Sequence, residues 1–347
     1  MAQQLTKFRV AAVQAAPVFL NKEATVQKAC RLIEEAGGHG AKLVAFPEVF
    51  VPGYPYWARY LAPFKGDTYT KELILQSVRV PSDDTDALCE VARRANTFVV
   101  IGINERDRQS SATIYNTNLI IDSQGRILGK HHKLVPTFAE KLVWSIGDGL
   151  GFRVYDTEIG RLGTLICAQN MNTLARFVLI AEGEQIHVAN YLSMPAKDPA
   201  FASFAREVEM RCAAHALEGR LFNIASSSLI DGSVIDVLSP FPDLRDMLRT
   251  GNSCHTAVHG PSGFVIAGPL DPNTDGILLE RFHDTAQNIF HAYGARHVQI
   301  LGSPQNFSGR IDLLDGSAVY HRQLIGKEIS FSQVVRHEND RDFELVL

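Results

Sequence analysis

FRVAAVQA, residues 8–15, alternates into a β-branched apolar run and predicts a buried strand. Asn21 is placed to cap the helix that follows, whose apolar face carries Val26, Ala29 and Ile33, and Gly37-Gly38 is expected to stop it. KLVAF (42–46) reads as a second strand, ended by Pro47. A helix over about 84–95 turns Leu88, Val91 and Ala92 inward, and FVVIGI (98–103) is a third strand. This alternation of strand and helix argues for a layered α/β sheet.

Working outward, YNTNLII (115–121) and residues 126–129 flank DSQG (122–125), a turn between paired strands. RLGTLIC (161–167) is a further strand entered through Gly160, and TLARFVLIA (173–181) has helical character. Residues 185–189 are strand-like, 200–217 form a long amphipathic helix, and 221–225 return to strand. After Gly251, residues 255–259 and 263–266 make a hairpin across Gly260-Pro261-Ser262, and 277–281 supply a last strand. There is no repeat, low-complexity stretch or Pro-rich linker. One domain over 1–285 is therefore the economical division, with 286–347 as a C-terminal extension, a surface tail or a subunit contact.

The whole chain has 347 residues, 46% apolar and 21% charged, with a net charge of −4. That length buries a sizeable core without disulfides or metals. The mild acidity argues against nucleic acid as a partner, which favours a basic surface. No apolar run reaches the roughly 18 residues of a membrane-spanning helix, and the first residues lack an apolar signal core. The five cysteines are scattered and form no CxxC pair, so a disulfide framework and a zinc site are both disfavoured and a reducing, cytoplasmic setting is expected.

Three reactive side chains stand at or just past predicted strands: Glu48 after VAFP, Lys133 after GKHH, and Cys167 at the end of LGTLIC. In α/β sheets functional groups gather where strands end. A thiol supplies a nucleophile, a carboxylate takes its proton, and an ammonium stabilises developing negative charge. Taken singly, each has an ordinary explanation. A buried cysteine is usually a small hydrophobe, Glu48 suits a solvated loop, and Lys133 closes a basic cluster with Lys130, His131 and His132.

Local sequence lifts all three. FPEVFVPGYPYW (46–57), HKLVPTFAEKLVW (132–144) and LICAQNMNTLARF (165–177) occur in this order and resemble the signature segments of the nitrilase branch of the carbon–nitrogen hydrolase superfamily. GRLGTLIC, EGEQIHVA (182–189) and the opening RVAAVQAAPVF join the resemblance, which spans about residues 7–270. It implies a four-layer αββα sandwich and a Glu–Lys–Cys site. Glu48 matches the general base, Lys133 the catalytic lysine, Cys167 the nucleophile, and Glu140 a second glutamate that positions the lysine and substrate. The implied reaction converts an organic nitrile to the acid and ammonia, with no metal or organic cofactor. Hydrolysis of amides by the same site is the nearest alternative, and a weakly active or non-catalytic filament-forming relative is another. The resemblance also implies a homo-oligomer, a dimer through a sandwich face that extends into a spiral filament.

Tyr54, Pro55, Tyr56 and Trp57 are expected to form an aromatic pocket wall, or for Tyr56 and Trp57 equally a core cluster. Ala168 is small beside the nucleophile and its backbone N–H suits an oxyanion donor. Tyr191 and Met194 are further candidates for specificity. Two features depart from the family pattern. Gln169 stands where most members carry an acidic residue, which bears on neighbouring pKa values and on the acid-to-amide partition. The usual C-terminal block with a His-Tyr and Arg-Pro-Asp element is not recognisable, and HAYGARHVQILGSP (291–304) resembles only a diverged, poorly matching counterpart of it. His131-His132 lacks a spaced third metal ligand. Ser226-Ser227-Ser228 lacks a GxSxG elbow, and Arg206, Glu207, Glu209 and Arg211 are expected on the solvent face of a helix.

Overall fold

The computed structural model describes residues 8–282. In chain order the strands are β1 (Phe8–Gln14), β2 (Ala41–Ala45), β3 (Phe98–Arg106), β4 (Ile114–Ile121), β5 (Ile127–His132), β6 (Tyr155–Thr157), β7 (Gly160–Ile166), β8 (Ile186–Tyr191), β9 (Met194–Pro195), β10 (Phe222–Ser227), β11 (Asn252–Ser253), β12 (Ala257–His259), β13 (Val265–Ala267) and β14 (Gly276–Phe282). The helices are α1 (Lys22–Gly38), α2 (Tyr56–Tyr60), α3 (Asp67–Leu75), α4 (Asp83–Ala95), α5 (Thr173–Ala181), α6 (Phe204–Gly219), α7 (Gly232–Val237) and α8 (Pro242–Leu248).

Two six-stranded mixed sheets form the centre. The first runs β14-β1-β2-β3-β4-β5 and the second β13-β12-β10-β8-β7-β6. Each has a parallel core: β1, β2 and β3 in the first, β7, β8 and β10 in the second. Antiparallel strands flank both.

Strand alternation explains the layering. Val10, Ala12, Leu43, Ala45, Val100 and Ile120 point from the first sheet into one apolar layer. Ile186, Val188, Ile224 and Val258 fill it from the second. Successive strand residues face opposite ways, so Ala11, Val13, Val44, Val99 and Ile101 take the other face of the first sheet. There they meet Val26, Ala29, Ile33, Leu88 and Val91 of α1 and α4. Over the second sheet, Leu179 and Ala175 of α5 cover Leu165. Val208 and Cys212 of α6 share a cluster with Ile166, Ala189 and Ala225. The result is helix on sheet, sheet on sheet, sheet on helix: the four-layer αββα order.

Strand ends shift by a few residues, and two helix boundaries differ from the sequence expectation for a local reason. Helix α1 continues through Gly37 and Gly38, because the N–H of His39 reaches back to Glu35 and Ala36 and closes the last turn. Helix α6 begins at Phe204 rather than near residue 200. Asp198 and Pro199 start a separate 3₁₀ turn there, with Asp198 Oδ1 accepting from Ala200 N at 2.9 Å. Among the described residues no helix is long and apolar enough to cross a membrane. The extension 286–347, including residues 291–304, lies outside the described residues.

Candidate active site

Glu48 leaves the first sheet three residues after β2. Phe46 N still bonds Val100 O on β3 at 2.8 Å, and Glu48 N then reaches Tyr191 O, at the end of β8, at 3.2 Å. The turn carrying Glu48 crosses β3 closely. A Cβ on Gly102 would fall 2.3 Å from both Pro47 O and Val49 N, so this approach needs glycine. Lys133 directly follows β5, its N–H bonded to Asn116 O at 2.8 Å. Glu140 sits in the 3₁₀ turn Phe138–Leu142, and Cys167 opens the 3₁₀ turn Cys167–Met171 at the end of β7.

These four side chains meet although they come from distant parts of the chain. Lys133 Nζ donates to Glu48 Oε1 and to Glu140 Oε2, each at 2.8 Å. Asn116 Nδ2 donates to the same Glu48 oxygen at 2.8 Å. Glu140 is held by Tyr54 OH at 3.0 Å and by Thr137 N at 2.7 Å. Glu48 and Lys133 are each only 1% exposed and Cys167 5%. Glu48 Oε2 takes none of these bonds, which leaves one buried acceptor for the neighbouring Cys167 thiol.

Burial and charge set the proton affinities. Burial pushes the Glu48 carboxyl above the ordinary range; Lys133 opposes this and Glu140 adds to it. For Lys133 burial opposes the charge, but Glu140 and Glu48 outweigh it and hold the amine protonated beyond the usual lysine range. Burial, reinforced by Glu48, pushes the Cys167 thiol well up, while Lys133 pulls it down. A resting thiol, a strongly protonated amine and a carboxylate eager for a proton are thus set side by side.

Backbone strain gathers in the same segments. Val49 (φ 40°), Phe138 (φ 48°) and Cys167 (φ 49°) are left-handed without being glycine. For a β-branched residue such as Val49 this is a genuine outlier. Such residues persist only where their surroundings hold them, and they cluster at functional sites.

The remaining sequence candidates take different places. Ala168 and Gln169 line an open cleft of about 360 Å³ with Leu134, Thr137, Phe138 and Asn172. Gln169 Oε1 accepts from Ile166 N at 3.0 Å and faces His131 Nε2 at 3.0 Å. Burial lowers His131 to about 4, so it is neutral opposite that neutral amide. Tyr54, Tyr56, Trp57, Tyr191 and Met194 are buried in the same cluster as Cys167. Trp57 bonds Thr70 Oγ1 at 2.9 Å, Tyr56 OH donates to Ser193 O at 2.9 Å, and Tyr191 packs edge-on to Phe204. Tyr54 is different, since its hydroxyl belongs to the ionic group.

Two residues at the site escaped sequence reasoning. Asn116 binds Glu48, and the Trp144 ring lies 5.8 Å from Lys133 Nζ while its indole donates to Asn104 Oδ1 at 2.8 Å. Asn116 did leave a signal: polar residues at 116 and 118 interrupt one face of an otherwise apolar strand.

Comparison with known proteins identifies the family. The carbon–nitrogen hydrolase family profile matches residues 9–287. Nitrilase 3 from an unknown prokaryotic organism is 36% identical over 282 residues, covering 78% of this chain and 81% of the relative. A nitrilase of Paraburkholderia phymatum is 38% identical over 265 residues, covering 76% and 74%. Among solved structures, Saccharomyces cerevisiae Nit3, a member of branch 10 of the nitrilase superfamily, matches with a TM-score of 0.66 at 20% identity, over 84% of this chain and 97% of that one, a likeness of fold. The chain belongs to the carbon–nitrogen hydrolase family, in its nitrilase branch.

Proposed function

We propose that the chain is a nitrilase that hydrolyses an organic nitrile to the carboxylic acid and ammonia, with Cys167 as nucleophile, Glu48 as general base, Lys133 as the acid and Glu140 as its anchor. One observation carries the proposal: a buried carboxylate with one oxygen left for the thiol, an ammonium and that thiol are assembled from three distant segments.

The steps follow from the residues. The elevated thiol does not ionise alone, so Sγ attacks the nitrile carbon as its proton passes to Glu48. Lys133 gives a proton to the nitrogen where charge builds, forming a thioimidate. Glu48 then returns the thiol proton to Lys133 across their hydrogen bond, and a water adds with one proton taken by Glu48 and another delivered by Lys133 to the nitrogen, so that a tetrahedral carbon results. Departure of ammonia leaves a thioester. A second water releases the acid and restores the thiol. Departure of the sulfur from the tetrahedral carbon instead would give the amide, and Gln169 is placed to influence that partition. The cleft beside Ala168 is the route assigned to the substrate, and Tyr54, Trp57, Tyr191 and Met194, packed in the cluster that holds Cys167, are the residues assigned to specificity.

The same proposal covers the assembly. Residues 1–285 act as the hydrolase domain, with 286–347 as an extension at a subunit contact. A dimer extending into a spiral filament is supported by an apolar stripe on α5 and α6. Leu174, Phe177, Met210 and Leu217 are all exposed there. A cytoplasmic setting is supported by five unpaired thiols.

Ammonia release from aryl, arylacetic and aliphatic nitriles, alongside the matching amides, tests the reaction. Cys167→Ala is expected to lower nitrile turnover at least ~10⁴-fold with an unchanged fold. Substantial turnover in that variant refutes the nucleophile assignment, and release from amides alone replaces the nitrilase with an amidase. Light scattering and electron microscopy test the filament; a monodisperse monomer refutes it.

A further inference from the structure

A second group of titratable side chains is wholly buried outside the site: Glu184, His187 and His215. Glu184 lies in the turn before β8, His187 on β8 and His215 on α6. Glu184 Oε1 is 2.6 Å from His187 Nδ1, and Oε2 is 3.0 Å from His215 Nε2. On its other side, His187 Nε2 lies 2.9 Å from Asn170 Oδ1. Asn170 belongs to the turn that opens with Cys167. Its Nδ2 donates to Leu165 O at 3.1 Å and to Cys167 O at 3.0 Å.

The donor inventory decides where the protons are. Two backbone carbonyls require donors, so the Asn170 amide nitrogen faces them and its oxygen faces His187. An ionised carboxylate only accepts. Burial opposes the Glu184 charge, but His187 and His215 outweigh it and hold this carboxyl below the ordinary range. Both His187 nitrogens therefore face acceptors, the Glu184 carboxylate on one side and the Asn170 oxygen on the other. Glu184, His187 and His215 bring potential ligand atoms within 4.8 Å of one another, but both ring nitrogens of His187 are already engaged. Burial and the neighbouring His187 hold His215 below its ordinary range, so it is neutral.

The fold makes room for this pair. Gly163 on β7 sits beside His187 in the parallel register. A Cβ at Gly163 would fall 1.9 Å from Glu184 Oε1. The strand that leads into Cys167 is thus cut away where the carboxylate enters.

We propose that Glu184, His187 and Asn170 are positioning residues: the buried Glu184–His187 pair orients Asn170, and Asn170 clamps the carbonyls of Leu165 and Cys167, fixing the strained left-handed turn that aims the thiol. The effect on turnover rests on Cys167 being the nucleophile; the clamp does not.

Two measurements test it. Nitrogen-15 NMR of the unaltered protein is expected to show a proton on His187 Nε2, the nitrogen that faces Asn170; an Nε2 without a proton overturns the link between them. The second follows kcat, KM and the alkylation rate of Cys167 by iodoacetamide, mapped by mass spectrometry, in Asn170→Ala, His187→Leu and His187→Gln. Asn170→Ala and His187→Leu are expected to lose about tenfold or more in kcat and in alkylation, with KM within about twofold. Gln keeps an N–H toward Asn170 and is expected to recover much of both. Equal losses for Leu and Gln, or an unchanged alkylation rate in Asn170→Ala, overturn the clamp. Turnover that ignores Cys167 while alkylation still follows Asn170 defeats the nucleophile assignment and leaves the clamp standing.

Discussion

Two buried carboxylates on neighbouring strands of the first sheet, Glu48 after β2 and Glu105 on β3, each face a lysine from the β5 region, yet their chemistry runs in opposite directions. Glu105 is fully engaged. Lys130 Nζ contacts Oε1, while Thr117 Oγ1 donates to Oε2 at 3.0 Å and His132 Nε2 lies 2.9 Å from that oxygen. Burial opposes its charge, but His132 and Lys130 outweigh it and hold the carboxyl below the ordinary range. Glu48 shares its single lysine with Glu140, leaves one oxygen for the Cys167 thiol, and is pushed upward. Cation supply is therefore what separates a carboxylate held ionised from one pushed toward its proton. Glu105 has two basic partners to itself, whereas Glu48 has half of one.

The sharpest way to break this contrast is to neutralise each carboxylate. Glu48→Gln is expected to lower nitrile turnover about 10²–10⁴-fold, the range for loss of a general base, while Glu105→Gln stays within a few-fold. Comparable losses from both in an ammonia-release assay would erase the distinction. The lysines come next. Lys133→Met strands two buried carboxylates and is expected to destabilise by about 3–5 kcal/mol. The Lys130 side chain is 40% exposed, so Lys130→Met should remove about 1 kcal/mol or less. Urea midpoints check both, and a Lys130 effect as large as that of Lys133 contradicts the account.

Stability against pH separates the pair by sign. The folded pKa of Glu105 is depressed, so its contribution is present above the unfolded value and is lost as pH falls through the folded one. The deficit of Glu105→Gln should shrink on acidification. Glu48 is raised, so folding favours its protonated form and stability falls as pH rises from the unfolded value toward the folded one. Glu48→Gln should therefore improve relative to the parent as pH rises. Denaturant titrations from about pH 4 to about pH 8 read both slopes; slopes of the same sign defeat the comparison. The smallest change is Gln169→Glu, which installs beside His131 the carboxylate–imidazole contact that His132 already makes with Glu105. It should lift His131 from its value of about 4, read by NMR, and shift the acid-to-amide ratio. An unmoved His131 would mean that the new carboxyl turns away from it.

Much of the architecture was legible because it follows from local pattern. The alternation of 8–15, 42–46 and 98–103 with two amphipathic helices matches β1, α1, β2, α4 and β3 within a few residues. Helices α2, α3, α7 and α8 were not read. They span five to nine residues, so a 3.6-residue period has little length in which to stand out without the dense apolar run that marks α5, and they are held by Trp57, Leu73, Val234, Leu244 and Leu248 in the cluster around Cys167. Glu48, Lys133, Glu140 and Cys167 were legible as residues in signature segments, and their convergence came from the sheets. Tyr54 read as a wall because its ring is visible in sequence, whereas the partner of its hydroxyl is not. Glu184 and His187 lay inside a quoted motif, but nothing in EGEQIHVA says that Gly163 clears space for one of them or that Asn170 receives the other.

The sequence by itself determined the alternation of strands and helices, the absence of a long apolar span, and the identity of the thiol, amine and carboxylates, since these depend on side-chain type and spacing along the chain. Tertiary structure alone decided which carboxylate is eager for a proton, which lysine is shared, and which histidine bridges Glu184 and Asn170. Proton affinity depends on the surrounding dielectric and on partners a few ångströms away, and folding brings together partners as far apart in the chain as Glu48 and Cys167, 119 residues.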